Sequence, residues 1–317
     1  MNDIRRTILW VIFGFSMVLL WDKWQLHNGN KATFFPSPAA VGAAAPAAGA
    51  SAPLAGAASV PASTAPAVAS IGASAVPGTP APAAPAAREK IEVTTDVYRL
   101  TFDGEGGSLT HAELLKHADM TDKAKNFVLF DESTQRVYAA QTGLIGGSFP
   151  THKTVMTAVP GPRSLKDGEN ELTIRFESPE QGGVKLVKTW TLKRGAYDIA
   201  VKHEVVNVGS TAVSPQLYLQ LVRDGNKPPG ESSFYSTFTG PAVYTDAKKY
   251  QKIEFKDIEN GKVDIPKESP NGYVAMVQHY FASAWLLADG VQRELFTRKV
   301  SDNLYSVGMI TPLGNID

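Results

Sequence analysis

The stretch IEVTTDVYRLTFD, residues 91–103, alternates apolar and polar side chains and ends at the glycine-rich GEGG, residues 104–107. A period of two is typical of a β-strand with one buried face, and the glycines predict a turn. Similar runs follow: NELTIRF, VKLVKTWTL, YDIAVKHEVVNV, VSPQLYLQLVRD, KIEFKDI and LYSVGMI. Turn clusters such as KDGEN, PEQGG, KRGAY and NVGST separate them. This part of the chain therefore predicts a mostly β fold, an antiparallel β-sandwich.

Two other segments are compatible with more than one structure. HAELLKHADM, residues 111–120, is compatible with a short helical turn or with a further strand. GYVAMVQHYFASAWLL, residues 272–287, is the longest apolar stretch after the N-terminus, but it is shorter than the roughly 20 residues that span a bilayer. It also carries Gln278, His279 and Ser283 in its middle. We expect two core strands, YVAMV and FASAWLL, that reverse around residues 278–280.

Composition divides the chain into three parts. Residues 36–87 are almost entirely Ala, Pro, Gly, Ser, Thr and Val, with no charge between Lys31 and Arg88. Such a segment has no large side chains to bury and cannot offset the entropy of ordering its backbone. We therefore assign residues 1–27 to an N-terminal anchor, 28–88 to a disordered Ala/Pro-rich linker and 89–317 to the β-sandwich domain.

The N-terminus has the pattern of an uncleaved signal anchor. Arg5 and Arg6 precede an uncharged run from Thr7 to Trp21, and the residues after that run are too large for signal cleavage. The positive-inside rule places the arginines in the cytoplasm and the chain after Trp24 outside. The residues that we expect to form this transmembrane helix and its interfacial ends are Arg5, Arg6, Ile8, Trp10, Phe13, Leu20, Trp21 and Trp24.

Several classes of function find no support in the sequence. The 31 basic and 31 acidic residues give a formal net charge of zero, so there is no electrostatic footprint for nucleic acid. The absence of cysteine excludes disulfides and thiolate chemistry. The six histidines show none of the HxH, HxxxH or HExxH spacings of a local metal site, and no motif predicts a catalytic residue or a cofactor.

One charged stretch, KKYQKIEFKDIENGKV, residues 248–263, allows two interpretations. Its lysines could protect an edge strand against pairing with other chains. The same residues could instead form a surface for a protein partner. That possible partner surface consists of Lys248, Lys249, Tyr250, Lys252 and Phe255.

The order of these features resembles the N-terminal half of the YidC family of bacterial membrane protein insertases. The resemblance rests on IEVTTDVYRLTFDGEGGSLTHAEL, QTGLIGG, VKTWTLKRGAYDIAVKHEVVNVG, GPAVYTDAKKYQKIEF and GYVAMVQHYFASAWL. It implies an inner-membrane protein with a large periplasmic β-supersandwich, similar to the sugar-binding sandwich of galactose mutarotases.

The resemblance also implies function and partners. Such a protein inserts and helps to fold nascent inner-membrane proteins in the lipid bilayer, alone or with the Sec translocon, and its periplasmic domain contacts SecDF. It is not an enzyme and uses no cofactor. In this family five later transmembrane helices form the insertase groove, and the sequence stops at Asp317 before them. We therefore also expect the sandwich domain to be truncated at its C-terminus.

Two alternatives belong to other classes of protein. A mutarotase-like sandwich could bind or convert a sugar in the periplasm, although the sequence shows no cluster of histidine and acid for that chemistry. A TonB-like envelope transducer also has one anchor and a proline-rich linker. The linker here lacks Glu-Pro and Lys-Pro repeats, and the folded domain is too large for that class.

Overall fold

The computed structural model describes Trp10, residues 13–21, Trp24, residues 88–228, Gly230 and residues 237–317. The chain divides into two compact units, Met1–Val76 and Pro77–Asp317. Apart from Arg88, the predicted linker lies outside the described residues, as do Arg5, Arg6 and Ile8 of the predicted anchor.

The described residues of the first unit are helical. The ring centroids of Trp10 and Phe13 lie 6.1 Å apart, and those of Trp21 and Trp24 lie 5.3 Å apart. Both pairs have the i, i+3 spacing that brings side chains together on one helix face. Over the positions that the structure describes, no helix is both long enough and apolar enough to cross a membrane.

The second unit consists almost entirely of antiparallel strands, as the period-two pattern predicts. Among its described residues, the strands and the short helix are β1 (Lys90–Thr94), β2 (Tyr98–Asp103), β3 (Ser108–Ala118), β4 (Asn126–Glu132), β5 (Val137–Ile145), β6 (Thr157–Ala158), β7 (Glu171–Glu177), β8 (Val184–Lys193), β9 (Ile199–Asn207), β10 (Gln216–Asp224), β11 (Thr239–Thr245), β12 (Lys249–Lys252), α1 (Phe255–Glu259), β13 (Glu268–Ser269), β14 (Tyr273–Gln278), β15 (Phe281–Leu286), β16 (Arg293–Ser301) and β17 (Leu304–Pro312).

These strands form one large and two small sheets. The nine-stranded sheet has the order β1-β2-β3-β4-β5-β10-β17-β16-β13, and the four-stranded sheets have the orders β12-β11-β14-β15 and β6-β7-β8-β9. Strand β7 shows the simplest form of the pattern, because its alternate residues Leu172, Ile174 and Phe176 are all buried. Burying each such side chain contributes about 1.5–3 kcal/mol.

The large sheet packs against both small sheets through one hydrophobic core. Phe102 of β2 lies 5.0 Å from Trp190 of β8 between ring centroids. Phe127 of β4 stacks on Phe281 of β15 at 4.0 Å. The three sheets therefore share a single core.

The apolar stretch 272–287 forms the hairpin that we expected, but only β14 is a core strand, because β15 has no buried residue and exposes Ala282, Ala284 and Leu286. Its strands β14 and β15 pair from Tyr273 with Leu286 to Gln278 with Phe281. His279 turns the chain with a positive φ of 43°. The ambiguous segment at residues 111–120 belongs mainly to strand β3.

The prediction of a strand for KIEFKDI, residues 252–258, is wrong. Strand β12 ends at Lys252, and Phe255–Glu259 forms helix α1, which Gly261 follows with a φ of 62°. Phe255 and Ile258 both turn toward the core, an i, i+3 spacing that suits one face of a helix. Alternation in so short a segment therefore did not distinguish a strand from one helical turn.

Candidate functional site

The lysine-rich stretch lies at a sheet edge, as one of its two interpretations predicted. Strand β12 is the terminal strand of its four-stranded sheet. Lys248 Nζ lies 2.5 Å from Asp264 Oδ1, and Lys249 Nζ lies 3.8 Å from Asp246 Oδ1. Lys252 Nζ lies 5.1 Å from the ring centre of Phe238. Exposed ion pairs of this kind contribute little stability, so the lysines remain available to a partner.

Four of the five predicted residues form one exposed surface, which we call the lysine surface: Lys248, Lys249, Tyr250 and Lys252. Tyr250 is 46% exposed. Phe255 differs from them, because it is half-buried and stacks on Tyr305 with 4.7 Å between ring centroids. It anchors α1 to the core rather than extending the surface.

A buried polar network that the sequence analysis did not single out lies between the large sheet and β8. Lys188 of β8 is fully buried, and its Nζ donates hydrogen bonds to the carbonyl oxygens of Gly106, at 2.5 Å, and Thr142, at 2.7 Å. Burial lowers the pKa of Lys188 to about 7. The opposite residue on β9, His203, has Nε2 2.8 Å from Thr142 Oγ1. Burial and the nearby Lys188 lower the pKa of His203 to about 3.

A second histidine lies on the loop after β5, near enough to Lys188 for that charge to act on it. His152 Nδ1 lies 2.5 Å from the hydroxyl of Tyr218, which also accepts the His152 backbone N–H. Burial is the main reason that the pKa of His152 falls to about 4 and that of Tyr218 rises to about 12. Both groups are therefore neutral at pH 7. In the described part of the chain, no group of three His, Asp or Glu residues is placed to hold a metal ion.

A pocket of about 330 Å³ opens between the β4–β5 hairpin, the end of β10 and the end of β14. Three cations and three carboxylates line it together with neutral polar and apolar side chains. The lining residues are Asp119, Phe127, Val128, Asp131, Ser133, Gln135, Arg136, Arg223, Asp224, Asn226, Lys227, Pro228 and Gln278. A pocket of this size can take a small ligand or the end of a peptide.

Known proteins resemble nearly the whole chain. The sequence model of one protein family, described as the YidC periplasmic domain, matches residues 90–317. Two relatives, each named membrane protein insertase YidC, come from Janthinobacterium sp. (strain Marseille) and Herminiimonas arsenicoxydans. They are 47% and 48% identical over 99% of this chain. The chain covers 55% and 54% of these relatives, about half their length.

Solved structures with a similar strand arrangement are much more distant. A galactose mutarotase related enzyme from Lactobacillus acidophilus aligns with a TM-score of 0.43 and 9% identity, over 71% of this chain and 86% of that one. A galactose mutarotase-like protein from Lactobacillus casei aligns with a TM-score of 0.40 and 10% identity, over 72% and 94%. Similarity at this level assigns no activity to the chain.

Proposed function

Because the chain belongs to the YidC family of membrane protein insertases, we propose that it is the N-terminal part of an insertase and chaperone for inner-membrane proteins. The observation that carries this proposal is the 47–48% identity to named insertases over 99% of the chain. Since the chain covers about half of each relative, its share of the activity has to be argued from its own residues.

In this proposal the first 27 residues anchor the protein in the inner membrane, with the N-terminus in the cytoplasm. The uncharged run after Arg5 and Arg6, and the helical aromatic pairs at its two ends, support that role. The chain has no cysteine, so single introduced thiols report topology without background. We expect a membrane-impermeant maleimide added to spheroplasts to label Ser37→Cys and not Asn2→Cys. The opposite labelling pattern would reverse the orientation.

We propose that this part of the protein anchors it in the membrane and binds partner proteins but does not itself insert client proteins. Insertion requires a polar surface at bilayer depth, so that polar parts of a client avoid bare hydrocarbon. The run from Ile8 to Trp21 holds no ionisable residue, and a lone helix cannot enclose a groove. The YidC periplasmic domain then serves to contact partners outside the membrane.

The test uses cells depleted of their own insertase. Residues 1–317 are expressed there, and insertion of a dependent client is followed; the full-length Janthinobacterium relative is the positive control. We expect the relative to restore insertion and residues 1–317 to fail. Restored insertion by residues 1–317 would place the inserting surface in this part of the protein.

The docking role is proposed for the lysine surface, with SecDF of the Sec translocon as its partner. Its exposed cations and Tyr250 at a sheet edge support this, because tyrosine is common at binding hot spots. The test variant combines Lys248→Glu, Lys249→Glu and Lys252→Glu. The control combines Lys185→Glu, Lys193→Glu and Lys202→Glu, three exposed lysines of another sheet. Cross-linking to SecDF should fall in the first variant only, and equal cross-linking of both would exclude this surface.

A further inference from the structure

The pocket between the β4–β5 hairpin and the ends of β10 and β14 contains a cation without an ionic partner. The guanidinium of Arg136 donates to the carbonyl oxygens of Val128, at 3.1 Å, and Leu129, at 2.8 Å, and to Gln278 Oε1 at 3.4 Å. All three acceptors are neutral. Burial lowers the pKa of Arg136, although Asp131 and Asp224 oppose that shift from a distance. Neither carboxylate forms an ion pair with it within the described chain.

The same pocket contains a donor without an acceptor. Gln278 is 1% exposed, and its Nε2 has no hydrogen-bond partner among the residues that the structure describes. A flip that exchanges the amide oxygen and nitrogen does not remove the unpaired donor. The guanidinium of Arg136 only donates hydrogen bonds, so Oε1 has to lie on its side. Buried polar groups are normally paired, so an unpaired N–H beside a pocket indicates a missing acceptor.

Two of the three acidic side chains of the pocket accept hydrogen bonds from their own neighbours. Asp224 accepts the backbone N–H groups of Val137, at 2.6 Å, and Asn226, at 2.8 Å. Asp119 accepts from the Thr121 backbone N–H and hydroxyl and from the Asp122 backbone N–H. The third, Asp131, lies 3.6 Å from His111 Nδ1, which is too far for a hydrogen bond.

The cations are less fully engaged. Lys227 is exposed at the pocket wall and forms no ion pair in the described ranges. Arg223, in contrast, is buried and lies 5.4 Å from the ring centre of Tyr138. The donors that still lack a charged acceptor are thus Arg136, Lys227 and the amide of Gln278.

We propose that this pocket binds the carboxylate of a ligand, which faces Arg136 and Lys227 and accepts a hydrogen bond from Gln278 Nε2 once the buried Gln278 side chain turns toward it. Asp119 and Asp224 accept hydrogen bonds from their own neighbours, so Asp131 is the acid that faces the positive charges of Arg136 and Lys227. Two positive charges against one negative charge suit a singly charged anion better than a phosphate dianion. Phe127 and Pro228 provide apolar wall for the group that carries the carboxylate. The carboxylate can belong to a free small acid or to the C-terminus of a peptide, because both present the same oxygens.

Isothermal titration of the whole chain in detergent micelles distinguishes these sources. The probes are acetate, N-acetyl-trialanine with a free carboxylate, and the same peptide with an amidated C-terminus. Loss of a hydrogen bond to a charged group corresponds to about tenfold or more in affinity, so the amidated peptide should bind at least that much more weakly than the acid. Binding of the acid peptide without acetate assigns the site to chain ends, whereas equal binding of both assigns it to small acids.

The decisive variant is Gln278→Glu, which supplies a carboxylate beside Arg136 from within the protein. It should melt at or above the temperature of the natural protein and bind the acid peptide about tenfold more weakly or worse. Gln216→Glu makes the same chemical change at an exposed position at the other end of β10 and should bind normally.

Lys227→Gln, on an exposed loop, is a second variant in case Gln278→Glu fails to fold, and it should also weaken binding. Equal binding of acid and amide would overturn the proposal. Undiminished binding by a folded Gln278→Glu or Lys227→Gln variant would also overturn it. The absence of binding by any probe at about 1 mM would do the same.

Discussion

The buried Lys188 predicts a specific dependence of stability on pH. Its pKa is about 7 in the folded protein and returns to its ordinary value of 10.5 when the chain unfolds. Between these values the unfolded state binds a proton that the folded state does not, so the free energy of unfolding rises with pH and falls as pH is lowered toward 7. The slope reaches about 1.4 kcal/mol per pH unit, and the increase from pH 7 to pH 9 is about 2 kcal/mol.

The perturbation that isolates this effect is Lys188→Met, which removes the titrating group and keeps an unbranched side chain. Its control is Lys185→Met on the same strand, where the lysine is exposed. The two half-buried histidines contribute little in this window, because their folded pKa values of about 4 and 3, and the ordinary value of 6.5, all lie below pH 7.

The assay is urea unfolding of residues 88–317 at pH 7, 8 and 9. Relative to Lys188→Met, both the natural sequence and Lys185→Met should gain about 2 kcal/mol across this range. The comparison uses the change with pH and not the absolute stability, since Lys188→Met also removes the hydrogen bonds to Gly106 and Thr142. Parallel curves for all three proteins would refute the assignment of the slope to Lys188.

The domain Arg88–Asp317, cut free of the anchor, should remain in the supernatant after ultracentrifugation; persistent membrane fractionation would contradict this. Deleting half of residues 36–87 should leave the thermal unfolding of the domain unchanged, because that segment has no core to lose; unfolding of the domain would refute the linker assignment. Gly272→Ala should lower the free energy of unfolding by at least about 2 kcal/mol, because the residue has a φ of 93° and the new Cβ would collide with the carbonyl oxygen of Tyr244. Gly168→Ala, at a φ of 84° with open space around it, should cost about 1 kcal/mol from backbone strain alone; equal losses in urea unfolding would show that the collision is relieved.

The sequence predicts strands with one exposed face, such as β7, and also β10 and β17, which are buried on both faces but consist of long runs of large apolar side chains. In β7 the burial alternates residue by residue, so the period of two is visible in ELTIRFE. Strand β5, VYAAQTGLI, lies inside the large sheet and buries neighbouring residues such as Ala139 and Ala140. Burial of both faces removes the alternation, and the sequence analysis did not identify this strand.

The two buried polar sites differ in how far they could be predicted from the sequence. Lys188 stands in phase with the buried Leu186 and Trp190, so the inward position of a lysine could have been found from VKLVKTWTL. Arg136 and Gln278 are 142 positions apart. Their meeting depends on the packing of one sheet against another, which no local pattern records.

Arg88, which the composition assigned to the linker, gives the domain a defined attachment point. Its guanidinium donates from Nε to both oxygens of the buried Asp103 at 2.8 Å and lies 3.0 Å from Glu105. The next element, β1, is the terminal strand of the large sheet and pairs with β2 from Lys90 opposite Asp103. Mechanical load that travels along the chain from its N-terminal side therefore reaches the Arg88–Asp103 ion pair first. Once that ion pair opens, the load separates β1 from β2 one residue pair at a time and withdraws the buried side chains of Ile91 and Val93 from the shared core. The domain would therefore lose its first strand and one edge of its core in the same event.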